Sequence, residues 1–149
     1  MACNITTGRQ LPCKDSVGGI QAVYFLNYNQ VGFAVTASAD DVVTGLGSIT
    51  AYKYEVKGAN NNLQDNINSS RDNGTTFFEQ VVNVQFTKLD PTSSKELKLL
   101  AYGRPQMVVH TYDGDAFLCG KNNGMELTAG SIQTGTVLCD RDWETILIL

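Results

Sequence analysis

Apolar and polar side chains alternate over a long stretch from residue 77 to residue 87. Phe78, Gln80, Val82, Val84 and Phe86 share one face, and Phe77, Glu79, Val81, Asn83, Gln85 and Thr87 share the other. A period of two predicts a strand with one face in a core. Residues 48–57 repeat the pattern, with Thr50, Tyr52, Tyr54 and Val56 opposite Ile49, Ala51, Lys53, Glu55 and Lys57. Residues 20–27 form a short, nearly continuous apolar run rich in β-formers, which predicts a buried strand. Further strands are expected at 31–35, 106–112 and 115–120, one or two within 125–138, and one at the apolar end, 143–149. Asn73-Gly74 and Asp113-Gly114 are tight hairpin signals, and residues 121–124 form another turn.

One helix interrupts this series. Asp90-Pro91 ends the long strand, because proline has no donor for a sheet ladder. Ser93 as N-cap with Glu96 three residues later fits a capping box. Leu97, Leu100 and Ala101 follow at helical spacing, with Gly103 and Pro105 as stop signals. The expectation is a short helix over about 93–103, packed on the sheet through Leu97 and Leu100.

Residues 58–74 show neither period and are rich in asparagine, which predicts a long loop. Such loops are uncommon in compact domains and often functional. Asparagine brings donors and acceptors without a charge to desolvate, and Leu63 and Ile67 supply apolar anchors. Asn60, Asn61, Asn62, Leu63, Asp65, Ile67 and Arg71 are therefore the expected assembly interface. The loop is expected to be mobile in a single copy and ordered against the next.

Composition narrows the function. A chain of 149 residues with 42% hydrophobic residues can bury a core as one domain. With 14 glycines, few helix signals and many turns, it is expected to be mainly β: a β-sandwich or barrel of antiparallel strands with one flanking helix and an N-terminal arm over about 1–18. A net charge of −4 argues against gripping duplex DNA, which needs clustered Lys and Arg. Tyr and Lys interleave at 52–57 as they do in some single-strand binders, but on opposite strand faces, which predicts a core face and a wet face. The start lacks a basic region followed by an apolar run, so no secretory signal is expected. No stretch is long and apolar enough to predict a membrane span.

Candidate chemistry is sparse. His110 is the single histidine, and Cys119 lies near it across the Asp113-Gly114 hairpin. Counting back from the turn sets His110 opposite Ala116 or Phe117, so it does not face the thiol. No nucleophile elbow is present. Cys3, Cys13, Cys119 and Cys139 form no close pairs of the kind zinc sites use, and free thiols are expected rather than a disulfide. Asp40-Asp41 and Asp140/Asp142 fall in polar connections, where solvated charge is the default. Asp113 and Asp115 flank Gly114 without the rest of a calcium loop. No catalytic residue, cofactor or metal is expected, and the chain is not expected to be an enzyme.

Residues 12–20 (Pro-Cys-Lys-Asp-Ser-Val-Gly-Gly-Ile), 70–80 (Ser-Arg-Asp-Asn-Gly-Thr-Thr-Phe-Phe-Glu-Gln), 95–105 (Lys-Glu-Leu-Lys-Leu-Leu-Ala-Tyr-Gly-Arg-Pro) and 130–135 resemble a group of tailed-bacteriophage virion proteins of tail-tube-like character. The resemblance spans most of the chain. It departs at the end, where the group closes with a more polar tail and this chain stops on Trp143 to Leu149. The resemblance implies a single tail-tube-like β-domain over 1–149 that acts as a virion structural protein. In that role it is a tail tube subunit whose homo-oligomeric rings, commonly hexameric, stack to conduct the genome. Its implied partners are copies of itself and other virion proteins, with DNA only passing through the lumen and no membrane. The implied location is the virion, after synthesis in the bacterial cytoplasm. A head–tail connector or tail-terminator ring and a sugar-binding β-sandwich module are the competing readings.

Overall fold

The computed structural model describes residues 7–28, 34–35, 42–88, 90–136, 138 and 143–148. Two four-stranded antiparallel sheets face each other. The first runs in the order β4 (Ala51–Glu55), β1 (Ile20–Leu26), β7 (Gln106–Thr111), β8 (Ala116–Cys119). The second runs β5 (Asn62–Ser70), β6 (Thr75–Thr87), β10 (Trp143–Ile148), β9 (Leu127–Gln133). A small ribbon joins β2 (Ala34–Val35) to β3 (Val43–Gly45). The architecture is a β-sandwich and is not closed as a barrel, since both large sheets keep two edge strands.

The core lies where the inner faces meet. Val23 and Phe25 of β1 and Met107 and Val109 of β7 come from the first sheet. Val82 and Val84 of β6 and Ile146 and Ile148 of β10 come from the second. The long alternation in β6 is thus realised at Val82 and Val84, with Phe86 partly buried beside them. Phe25, Tyr54 and Phe86 form an aromatic chain, with ring centroids 5.3 and 5.5 Å apart and the first contact edge-on. The wet face of β4 carries the Lys53–Glu55 ion pair at 2.8 Å, while Tyr52 stays exposed.

The apolar strand expected at the end of the sequence, β10, is central: it pairs with β6 on one side and β9 on the other. This is why so apolar a segment is tolerated, because both its edges and its inner face are covered.

The helix differs in its bounds. It spans Pro91–Leu100, and Asp90, not Ser93, is its N-cap. The Asp90 carboxylate accepts from the Ser93 amide at 3.3 Å, and Pro91 at the first position has its φ already set for a helix. Glu96 is not needed as a cap. The C-terminus does not close on Gly103 but tightens: Ala101, Tyr102 and Gly103 donate to the carbonyls three residues back, which is 3₁₀ winding. Leu97 is buried in the core and Leu100 packs at its margin.

The largest correction concerns 58–74. Residues 62–70 are not a loop but the edge strand β5, paired with β6 from Asn62↔Asn83 to Ser70↔Thr75, and the turn is only 71–74. Asparagine is a poor strand former, but β6 offers a complete ladder, and pairing context outweighs intrinsic preference. Polar side chains also suit a strand wet on most of its length. The predicted mobile loop is therefore replaced by a hydrogen-bonded hairpin.

After β8 the chain turns tightly at Gly120, where φ is +72° and an added Cβ would lie 2.6 Å from Met125 Cγ. Gln106, fully buried, donates through Nε2 to the carbonyls of Gly120 and Lys121. That clamp feeds Met125 into the core. Residues 7–18, the described part of the expected arm, are exposed and carry no strand or helix.

Candidate assembly surface

β6 is longer than the sandwich it serves. Residues 80–86 are buried or half-buried over the core, but Thr75 to Glu79 are exposed, as are Ile67, Asn68 and Ser69 of the facing strand. The β5–β6 hairpin therefore overhangs by five residues, roughly 16 Å at about 3.3 Å per residue. Ile67 and Phe78 sit directly opposite each other as a cross-strand pair, and both are two-thirds exposed, at 67% and 65%. Phe77 emerges on the other face beside Asn68 and is 59% exposed.

The root of this hairpin is fixed by the asparagines. Asn61 is buried, and its Oδ1 accepts from the Gln85 amide at 2.6 Å. Its Nδ2 reaches the Gly58 carbonyl at 3.5 Å. Asn60 Nδ2 donates to Gln85 Oε1 at 2.9 Å. Leu63, opposite Val82, packs against the core. Across the sandwich, Gln80 Oε1 accepts from the Gly120 amide at 3.2 Å, tying β6 to the end of β8.

The seven expected interface residues thus fall into two groups. Asn60, Asn61 and Leu63 hold the hairpin to the body. Asn62, Asp65, Ile67 and Arg71 are exposed along the edge strand and turn. Phe77 is exposed, as its place on the polar face of the alternation implies, whereas the same alternation puts Phe78 on the core face; only the length of β6 relative to β1 and β7 signals the overhang that leaves it in water.

Between the overhang and β8 lies an open groove of about 1530 Å³, with Leu63, Phe78 and Gln80 on one wall and Phe117 and Leu118 on the other. It carries no grouping of three or more His, Cys, Asp or Glu side chains suited to a metal among the described residues. The residues considered for catalysis do not converge. His110 pairs with Ala116, and its Nδ1 lies 3.1 Å from Gln21 Oε1. Cys119 pairs instead with Met107 and is fully buried. Burial, helped by the Asp65 carboxylate, pushes its thiol up to about 11, so the nucleophilic thiolate is scarce at neutral pH. Cys13 is an exposed free thiol and Cys119 a buried one. Cys3, Cys139, Asp40, Asp41, Asp140 and Asp142 lie outside the described residues.

The edges of the sheets are unequal. The first sheet ends on β4, which bears Lys53 and Glu55, and on β8, only four residues long. The second ends on β5, nine residues with Asp65 as the sole charge, and on β9, seven residues with none. Proteins blunt exposed edges with charge, proline, bulges or short length. β5 and β9 carry none of the first two along their spans beyond Asp65, and among the described residues no strand pairs with their outer sides.

No family model, curated protein or solved structure matches this chain.

Proposed function

We propose that the chain is a self-assembling structural subunit of a phage virion, a tail tube protein that closes into rings, hexameric on the resemblance, and stacks them around a passage for the genome. The observation that carries the assembly is the pair of open edges on one sheet. In a four-stranded antiparallel sheet the two edge strands run in opposite directions. Copies related by rotation about an axis along the strands would bring β9 of one against β5 of the next in antiparallel register. Such a heterologous contact, repeated with closure, gives a ring. The resemblance in residues 12–20, 70–80, 95–105 and 130–135 supplies the virion context, and the net charge of −4 suits a lumen along which DNA slides without adhering.

Electron microscopy of the purified protein in negative stain tests this. Stacked tubes support the tail tube reading. Single rings would favour a connector or terminator ring, and monomers that bind glycans would favour the sugar-binding module. Because Asn61 and Leu63 hold the hairpin, removing residues 59–68 would damage the fold as well as the edge. The discriminating variant is Ala129→Lys with Ser131→Lys, which charges β9 alone. It should keep the wild-type circular dichroism spectrum and stay monomeric. Rings formed by this variant at wild-type concentration would sink the edge-pairing model.

A further inference from the structure

Three dipeptides place a side-chain carbonyl beside a glycine amide at a tight turn: Asn73-Gly74, Asp113-Gly114 and Asn123-Gly124. By sequence all three can form an intramolecular imide, since glycine leaves the attacking nitrogen unhindered, and the two asparagines are equivalent while a carboxylate is the poorer electrophile. Their surroundings separate them. The Gly114 amide donates to the Thr111 carbonyl at 3.2 Å, and Asp113 Oδ1 is held by the Val17 amide at 2.8 Å. The Gly124 amide donates to the Gly120 carbonyl at 3.0 Å. Gly124 is also enclosed: a Cβ there would lie 3.0 Å from both Cβ and O of Arg104. At Gly74 no hydrogen bond holds the amide among the described residues, and nothing lies within 4 Å of where a Cβ would stand. Asn73 is exposed, held through its own amide by a long 3.4 Å contact to Ser70 Oγ. The turn ends the overhanging hairpin, clear of the sandwich.

We propose that Asn73 is a spontaneous modification site, the one asparagine-glycine pair in this chain free to cyclise in the folded protein. The Gly74 nitrogen, losing its proton to hydroxide, attacks Asn73 Cγ. A new C–N bond closes a five-membered succinimide. The bond from Cγ to Nδ2 breaks, and the nitrogen leaves as ammonia after taking a proton from water. Water then opens the ring at either carbonyl, giving aspartate or isoaspartate at position 73. Either product adds a negative charge next to Asp72, and isoaspartate also lengthens the backbone by one methylene in the turn that sets the β5–β6 register. The tip thus records the age of the molecule, whatever the chain assembles into.

The test holds the full-length native protein in mildly alkaline buffer and follows peptides covering positions 73 and 123 by mass spectrometry. Deamidation shows as a gain of one dalton, and isoaspartate is read by enzymatic methylation. Position 73 should convert roughly tenfold faster than position 123, the factor expected when one turn must first break a hydrogen bond. In concentrated urea the two rates should converge. Equal rates in the native protein would overturn the proposal. So would a rate difference that persists unchanged in urea, which would place the cause in the flanking sequence rather than the fold. Asn73→Gln should abolish the fast phase, and its persistence in that variant would equally refute the assignment.

Discussion

One strand, β6, lives in two environments. Val82 and Val84 are fully buried between the sheets, whereas Phe77 and Phe78, a few residues earlier on the same strand, are exposed. Both halves pair with β5 through one unbroken ladder. The difference is what surrounds the root: it packs with core residues of β1 and β7 and pairs with β10, whose ladder stops at Val82, and the overhang has neither. Strand formation here is decided by the ladder, and burial by whether a second sheet lies opposite. Two large aromatic rings left in water by that arrangement are what an assembling surface offers.

The contrast can be broken most severely at the root. Val84→Asp would bury an unpaired carboxylate opposite Ile146, and the loss should exceed about 4 kcal/mol, leaving no cooperative thermal transition. Leu97→Ala removes the helix's buried anchor, with an expected loss of about 2–5 kcal/mol in urea denaturation. Leu100→Ala, at the core margin, should fall below it. If Leu100 proves the costlier, the helix sits differently from the arrangement described. Asn61→Ala strips the Gln85 amide of its acceptor at the root of the hairpin, the end away from the overhang. A loss of about 1–3 kcal/mol is expected, with faster amide exchange at Gln85 as the local signature. Phe78→Ala should change the stability of the isolated chain by no more than about 0.5 kcal/mol. A core phenylalanine would lose about 3–5 kcal/mol on the same change, so the measurement decides directly whether this ring is inside or out.

Much of the sandwich was legible because its period-two stretches are long. β1, β6 and the β7–β8 hairpin lie where the alternation and turn residues put them, and His110 falls opposite Ala116, one of the two partners that counting from Asp113-Gly114 gives. β5 was not legible by composition, since asparagine argues for a loop on propensity alone. Yet Asn73-Gly74 is a hairpin signal, and a hairpin needs a strand on both sides of its turn. Leu63, Asp65 and Ile67 alternate with Gln64, Asn66 and Asn68 as such a strand requires. The loop preference of asparagine competes with the ladder offered by β6, not with solvent alone, and the ladder wins. The helix start differs for a similar reason: Asp90-Pro91 reads as the end of a strand, yet a carboxylate followed by proline serves equally well as a cap. Of the expected interface, the exposure of Asn62, Asp65 and Arg71 follows from their polarity, whereas that of Ile67 runs against its own. The anchoring role of Asn61 could not be read from polarity, because it depends on Gln85, 24 residues away.

The overhang also gives the molecule a front and a back. The hairpin leaves the sandwich at one end only, so copies arranged by rotation about an axis along the strands would all raise their Asn73-Gly74 tips on the same rim. Such an assembly would be vectorial, crowned on one side and bare on the other. Anything that grips the aromatic crown could recognise the direction of the structure without reading its length.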